Sequence, residues 1–222
     1  MLKKIIRILL IIIIYFAYKL INKSYIEDIY DYSVYIEAID GDSINIGSGF
    51  VYDKKNGKNY IVTCYHIIDG AKNIKVYNYN EKYEIANLIK YDLKSDLALL
   101  EIDDNLNLKK AKLGSSNNIA LRDNVYVVGT PLNKNYIISL TSGIISNVKR
   151  SLKVNGNTYN AIQFDAEVSG GNSGGALLNG KGKVIGMVFL KEENASNISF
   201  AIPIDDIKRN LKNKESNYEL KR

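Results

Sequence analysis

The chain has 222 residues, 46% hydrophobic and 24% charged, which suits one large all-β domain or two small lobes packed as one and argues against disorder. Its net charge is +6, but residues 1–24 hold five basic residues (Lys3, Lys4, Arg7, Lys19, Lys23) and no acidic one, leaving the remainder nearly balanced at 25 basic against 24 acidic. A nucleic-acid partner, which needs basic residues clustered on the folded body, is therefore not expected.

The first element is apolar. Ile8 to Tyr18 reads ILLIIIIYFAY, and from Ile5 to Ile21 only Arg7 and Lys19 interrupt it. Those 17 residues are just long enough to span a bilayer if the basic side chains snorkel to its surface. Residues 1–24 are thus expected to form a signal anchor or transmembrane helix. A cleaved signal peptide is the rival reading, and it would leave a secreted protein. It lacks a small-x-small cleavage site, because Ala17 lies between Phe16 and Tyr18. The basic bias before the run favours an extracytoplasmic body on a single-pass cell-membrane protein.

Residues 25–32 read as a polar linker, 33–212 as the folded domain and 213–222 as a polar tail. Strands rich in Val, Ile and Tyr are expected at 34–39, 47–52, 60–63, 74–79, 83–89, 97–102, 125–128, 137–148, 159–164, 176–178, 184–190 and 199–202. Asn56-Gly57, Asn155-Gly156 and Asn179-Gly180 are hairpin-turn signals. A short helix is expected to begin near Ile204. A dozen short strands at this spacing imply barrels or a sandwich.

Three stretches carry chemistry. Gly170-Gly171-Asn172-Ser173-Gly174-Gly175 suits a nucleophilic serine on a tight turn whose backbone N–H groups face a developing oxyanion, although alone it is equally a plain loop. His66, the only histidine, ends the segment Thr63-Cys64-Tyr65-His66. Asp96 opens the apolar run Leu97 to Leu100, with Asp92, Asp103 and Asp104 as competitors. Together they satisfy one requirement: a serine needs a base, and the base needs a carboxylate to fix its tautomer. The order His, Asp, Ser is that of the chymotrypsin arrangement. With a single cysteine, Cys64, and a single histidine, neither an intramolecular disulfide nor a Cys/His metal cluster is expected, and no cofactor is implied.

The sequence resembles the HtrA (Deg) family of trypsin-like serine proteases. The resemblance runs through GSGFVY (47–52), IVTCYHIIDGA (61–71), SDLALLEI (95–102), LGSS (113–116), VGTPL (128–132), TSGIIS (141–146), FDAEVSGGNSGGALLNGKGKVIGM (164–187) and SFAIPIDDI (199–207). It implies a double six-stranded β-barrel with a short C-terminal helix. It also implies a serine endopeptidase acting on exported or misfolded proteins through an acyl-enzyme, with His66 as base, Asp96 as its orienter, Ser173 as nucleophile and the Gly171 and Ser173 amides as oxyanion hole. Val168, Phe189 and Leu190 should line the specificity pocket, favouring small or medium aliphatic residues. Glu167, six residues before Ser173, would select Lys or Arg if it faced that pocket. The family often carries a PDZ domain after the last matched segment, and the few residues that follow here leave no room for one. The family also trimerises through N-terminal aromatics, a role open to Tyr25, Tyr30, Tyr32 and Tyr35. The alternatives are a catalytically silent, chaperone-like scaffold on the same fold, or a glutamate-specific protease, which would need a second histidine.

Overall fold

The chain begins with a helix, α1 (Leu2–Glu27), and a 3-10 turn over Asp28–Asp31, in a computed structural model that describes residues 2–154, 156–192 and 196–212. Large apolar side chains of α1 between Ile5 and Tyr18 are exposed. Among the described residues, however, no helix is long and apolar enough to cross a membrane. The transmembrane helix expected over residues 1–24 is therefore not supported. The helix is there, but its uncharged run from Ile8 to Tyr18 is 11 residues, against the roughly 20 a span needs. In the stretch expected as a linker, 25–32, Ile29 and Tyr32 are buried in the core. The tail expected at 213–222 lies outside the described residues.

The first lobe holds β1 (Ser33–Asp40), β2 (Ser43–Lys55), β3 (Lys58–Thr63), a single helical turn α2 (Tyr65–Ile68), β4 (Asn73–Tyr77), β5 (Tyr83–Ile85), β6 (Asn87–Asp92) and β7 (Leu97–Asp103). Its strands form one antiparallel sheet in the order β5-β4-β1-β2-β3-β7-β6. The second lobe is a closed barrel of β8 (Asn124–Gly129), β9 (Ser139–Val154), β10 (Asn157–Phe164), β11 (Ala176–Asn179), β12 (Val184–Lys191) and β13 (Ser199–Pro203). The second lobe thus has the six strands expected, while the first has seven. The run expected as one strand, 83–89, divides at Ala86, whose N–H still reaches Ile74 O at 2.8 Å.

Turn chemistry accounts for two hairpins differently. Asn56 and Gly57 both take positive φ (53° and 71°), the type I′ turn that matches strand twist between β2 and β3. Asn179-Gly180 does not form such a turn. The Asn179 side chain instead accepts the N–H groups of Lys181 and Lys183 at 3.0 and 3.1 Å, and Gly182 takes the positive φ. In the third signal, Asn155 lies outside the described residues.

One apolar cluster joins the lobes, with Ile36, Phe50 and Leu100 from the first and Val128, Met187 and Ile202 from the second. That shared core fixes the lobes against each other and leaves a cleft between their loops. A closing helix, α3 (Ile204–Lys212), buries Ile204 and Ile207 and places Asp205 and Asp206 in its first turn and Arg209 and Lys212 in its last, complementing the helix dipole. Asp205 pins α3 to the body by accepting from Ser115 Oγ (2.7 Å) and Ser116 N (2.8 Å), and within α3 it also accepts from Lys208 Nζ (3.0 Å). Burial alone would raise its carboxyl, but these donors outweigh it and bring the pKa down to about 2.

Candidate active site

His66 lies on α2, directly after β3, and Asp96 lies just before β7. These strands are hydrogen-bonded neighbours with Thr63 opposite Ala98, so the topology brings residues 66 and 96 to one end of the sheet. Asp96 takes φ +49°, a left-handed conformation that Asp tolerates better than most residues, and its carbonyl accepts Tyr65 N–H at 3.2 Å. Its carboxylate then faces the histidine twice: Oδ1 accepts the His66 backbone N–H at 2.8 Å and Oδ2 lies 2.6 Å from Nδ1. The Asp96 side chain is 13% exposed and that of His66 51%. A proton on Nδ1, shared with this carboxylate, leaves Nε2 free to accept one from the cleft.

Ser173 comes from the second lobe, in the turn between β10 and β11. Two glycines permit that turn. Gly171 has φ +93° and a Cβ there would sit 2.3 Å from Thr130 O. Gly174 has φ +84° and a Cβ there would sit 2.0 Å from Ser48 O. The N–H groups of Asn172, Gly174 and Gly175 are all used internally, on Ser169 O, Val188 O and Asn172 O at 3.1, 2.7 and 2.9 Å. Among the described residues, those of Gly171 and Ser173 have no partner. Both donors stay free in the loop that carries the Ser173 hydroxyl, which an oxyanion hole requires.

His66, Asp96 and Ser173 line one cleft of about 800 Å³ between the lobes. Among the described residues no hydrogen bond joins the Ser173 hydroxyl to the ring, and such catalytic bonds tighten when substrate docks. Val168, Phe189 and Leu190 line the same cleft. Glu167 does not. It borders a separate cavity of about 150 Å³ beside Thr141 and Pro131, and its carboxylate lies 3.4 Å from Lys191 Nζ. Its ion-pair partner Lys191 does line the cleft.

Sequence reasoning missed Tyr159, Lys191 and Leu93, which also line the cleft. The Tyr159 ring stands 5.0 Å from that of Phe189, so the β9–β10 hairpin forms a wall of the pocket. Burial raises the Tyr159 hydroxyl pKa, keeping it neutral. No local signal marked this, because the hairpin's polar, exposed far half reads as ordinary surface. The tyrosines expected at a subunit interface fare differently. Tyr32 and Tyr35 are buried within the chain, Tyr30 is partly exposed with its ring 4.6 Å from that of Tyr79, and the side chain of Tyr25 lies outside the described residues. Burial removes Tyr32 and Tyr35 as interface anchors.

Cys64, His66 and Asp96 each offer a ligand atom within 4.8 Å of the others. The donor set suits a hydrogen-bonded histidine and carboxylate better than a metal. Cys64 is fully buried, and its thiol is pushed well up by burial and then by the charge of Asp96, so it stays protonated, with its sulfur 3.4 Å from Val188 O. Nδ1 of His66 is already bonded to Asp96.

Residues 47–187 match the trypsin-like peptidase domain. The chain is similar to the serine protease Do-like HtrA of Bacillus subtilis (strain 168), 40% identical over 168 residues, and to the serine protease HtrA-like of Staphylococcus aureus (strain USA300), 36% identical over 181 residues. These matches cover 73% and 77% of this chain, which spans only 37% and 24% of those relatives. In three dimensions it is similar to the serine endoprotease from Yersinia pestis, with a TM-score of 0.72 at 29% identity, covering 86% of this chain and 65% of that one. The chain therefore belongs to the trypsin-like peptidase family, with HtrA serine proteases among its relatives.

Proposed function

We propose that this protein is a serine endopeptidase that cleaves peptide bonds through an acyl-enzyme. One observation carries the reading: a His66–Asp96 pair at 2.6 Å faces a cleft that also holds Ser173, flanked by two backbone N–H groups without partners. In this mechanism His66 Nε2 takes the Ser173 proton as Oγ attacks the scissile carbonyl. Asp96 holds the ring and stabilises the imidazolium, and the Gly171 and Ser173 amides receive the oxyanion. The imidazolium then protonates the leaving amine, and water hydrolyses the acyl-enzyme by the same route.

The apolar lining by Val168, Phe189 and Leu190 favours a small or medium aliphatic residue before the scissile bond. Unfolded chains present such residues, so misfolded or exported proteins are the proposed substrates. A location outside the cytoplasm is proposed from the basic start and apolar run of residues 1–24, which have the pattern of an export signal. The test is hydrolysis of labelled casein by the purified chain and by Ser173→Ala, which should be slower by about 10⁶-fold with an unchanged fold. A chain that binds casein without cleaving it would instead be a scaffold on a protease fold.

A further inference from the structure

We propose that Ser48 is a positioning residue of the oxyanion hole, a side chain that holds the Gly171–Ser173 loop in the orientation the reaction needs. The inference rests on the endopeptidase reading above and adds a residue to its machinery.

Ser48 lies on β2, in the lobe opposite Ser173, and is 1% exposed. Its hydroxyl donates to Gly171 O at 2.7 Å and accepts from Thr130 N at 2.8 Å. Its backbone N–H donates to Ser173 O at 2.8 Å. One residue thus grips the carbonyls of Gly171 and Ser173, whose own N–H groups have no partner among the described residues. Ser48 is itself held, because Thr63 Oγ1 donates to Ser48 O at 2.7 Å.

The need for such a clamp follows from glycine. Gly171 has no side chain to restrict its torsions, and at φ +93° nothing intrinsic keeps its N–H aimed at the cleft. Each peptide unit is rigid and trans, with N–H and C=O opposed. Gly170 O therefore sets the direction of the Gly171 N–H, while Gly171 O and Ser173 O set the peptides on either side of the one that carries the Ser173 N–H. Leu132 N holds Gly170 O at 2.6 Å, and Ser48 holds Gly171 O through its hydroxyl and Ser173 O through its N–H. Without the Ser48 hydroxyl, the Gly171 carbonyl and the Thr130 N–H become buried polar groups lacking these partners. Rotation of the Gly171–Asn172 peptide to find new ones would carry the loop out of line.

The role predicts a transition-state effect. Ser48→Ala should lower kcat on a fluorogenic peptide by about 10- to 100-fold with KM changed less than about threefold, since a misaimed oxyanion donor costs turnover rather than ground-state binding. The rate of Ser173 phosphonylation by a fluorophosphonate should fall by a similar factor. Ser48→Cys, which keeps a weaker donor at the same place, should lie between wild type and Ser48→Ala in both measurements. If Ser48→Ala does not fold, as read by its melting curve, Ser48→Cys carries the test alone. A kcat equal to wild type, or a loss confined to KM, overturns the role of Ser48. A wild-type chain whose Ser173 does not react with fluorophosphonate overturns the endopeptidase reading itself.

Discussion

Replacing Asp96 with Asn removes one charge and little else, and the structure says what that should cost. Asp96 sits at φ +49°, where Asn is accommodated as readily as Asp, so the turn before β7 and its bond to Tyr65 N–H should survive. The side chain is largely shielded, so water cannot easily replace the lost oxygen. In the variant, the amide oxygen can still accept the His66 backbone N–H, which Oδ1 now takes at 2.8 Å. The amide NH₂ then faces Nδ1, where Oδ2 stood at 2.6 Å, and Nδ1 must accept instead of donate. The ring proton moves to Nε2, which can no longer take a proton from Ser173. For a triad so converted the loss is about 10⁴-fold in kcat, or about 5 kcal/mol of transition-state stabilisation. The assay is kcat and KM on a fluorogenic peptide, with a thermal melt to establish that the fold is kept. A folded Asp96→Asn variant with more than a few per cent of wild-type kcat would refute the assignment of Asp96 as the orienting carboxylate.

Other outcomes follow from the same geometry. Asp205→Asn should lower stability at pH 7 by about 2 kcal/mol, since the folded-state pKa of about 2 lies below the ordinary value of 3.8. A depressed carboxyl stabilises the fold above its unfolded-state pKa and loses that contribution as pH falls through the folded value. Denaturant melts of the two proteins should therefore converge between about pH 4 and pH 2, and a gap independent of pH would contradict the linkage. Mass-spectrometric mapping of casein fragments should place cleavage after small or medium aliphatic residues and find the pattern unchanged in Glu167→Ala. Dominant cleavage after Lys or Arg, lost in that variant, would mean the carboxylate does face the pocket. Tyr159→Ala should admit larger residues before the scissile bond, because the Tyr159 ring stands against Phe189; an unchanged fragment pattern would remove it from the pocket wall.

The site was legible in the sequence where chemistry constrains local context. A nucleophilic turn demands glycines, and Gly171 and Gly174 take conformations that other residues rarely adopt. A sole histidine at the end of one apolar strand and an aspartate at the start of another became meaningful through pairing of those strands. Ser48 was not legible. It stands in the GSGFVY stretch, yet its partner Gly171 is 123 residues away, and only tertiary structure joins them. The β9–β10 wall was missed for a related reason, since its outer half has no core-facing alternation to read. α2 was missed because a single helical turn is too short for periodicity. The stretch 25–32 looks polar, but Ile29 and Tyr32 within it face inward, and composition averages such positions away.

The central claim is that Ser173 is a nucleophile activated by His66 beside a formed oxyanion hole. A fluorophosphonate reacts only with such a serine, so the most direct measurement is labelling of the purified protein followed by peptide mapping of the adduct. The account predicts a single adduct on Ser173, absent from Ser173→Ala and strongly slowed in His66→Ala. A folded wild-type protein that remains unlabelled, or that carries the adduct on another residue, would contradict it.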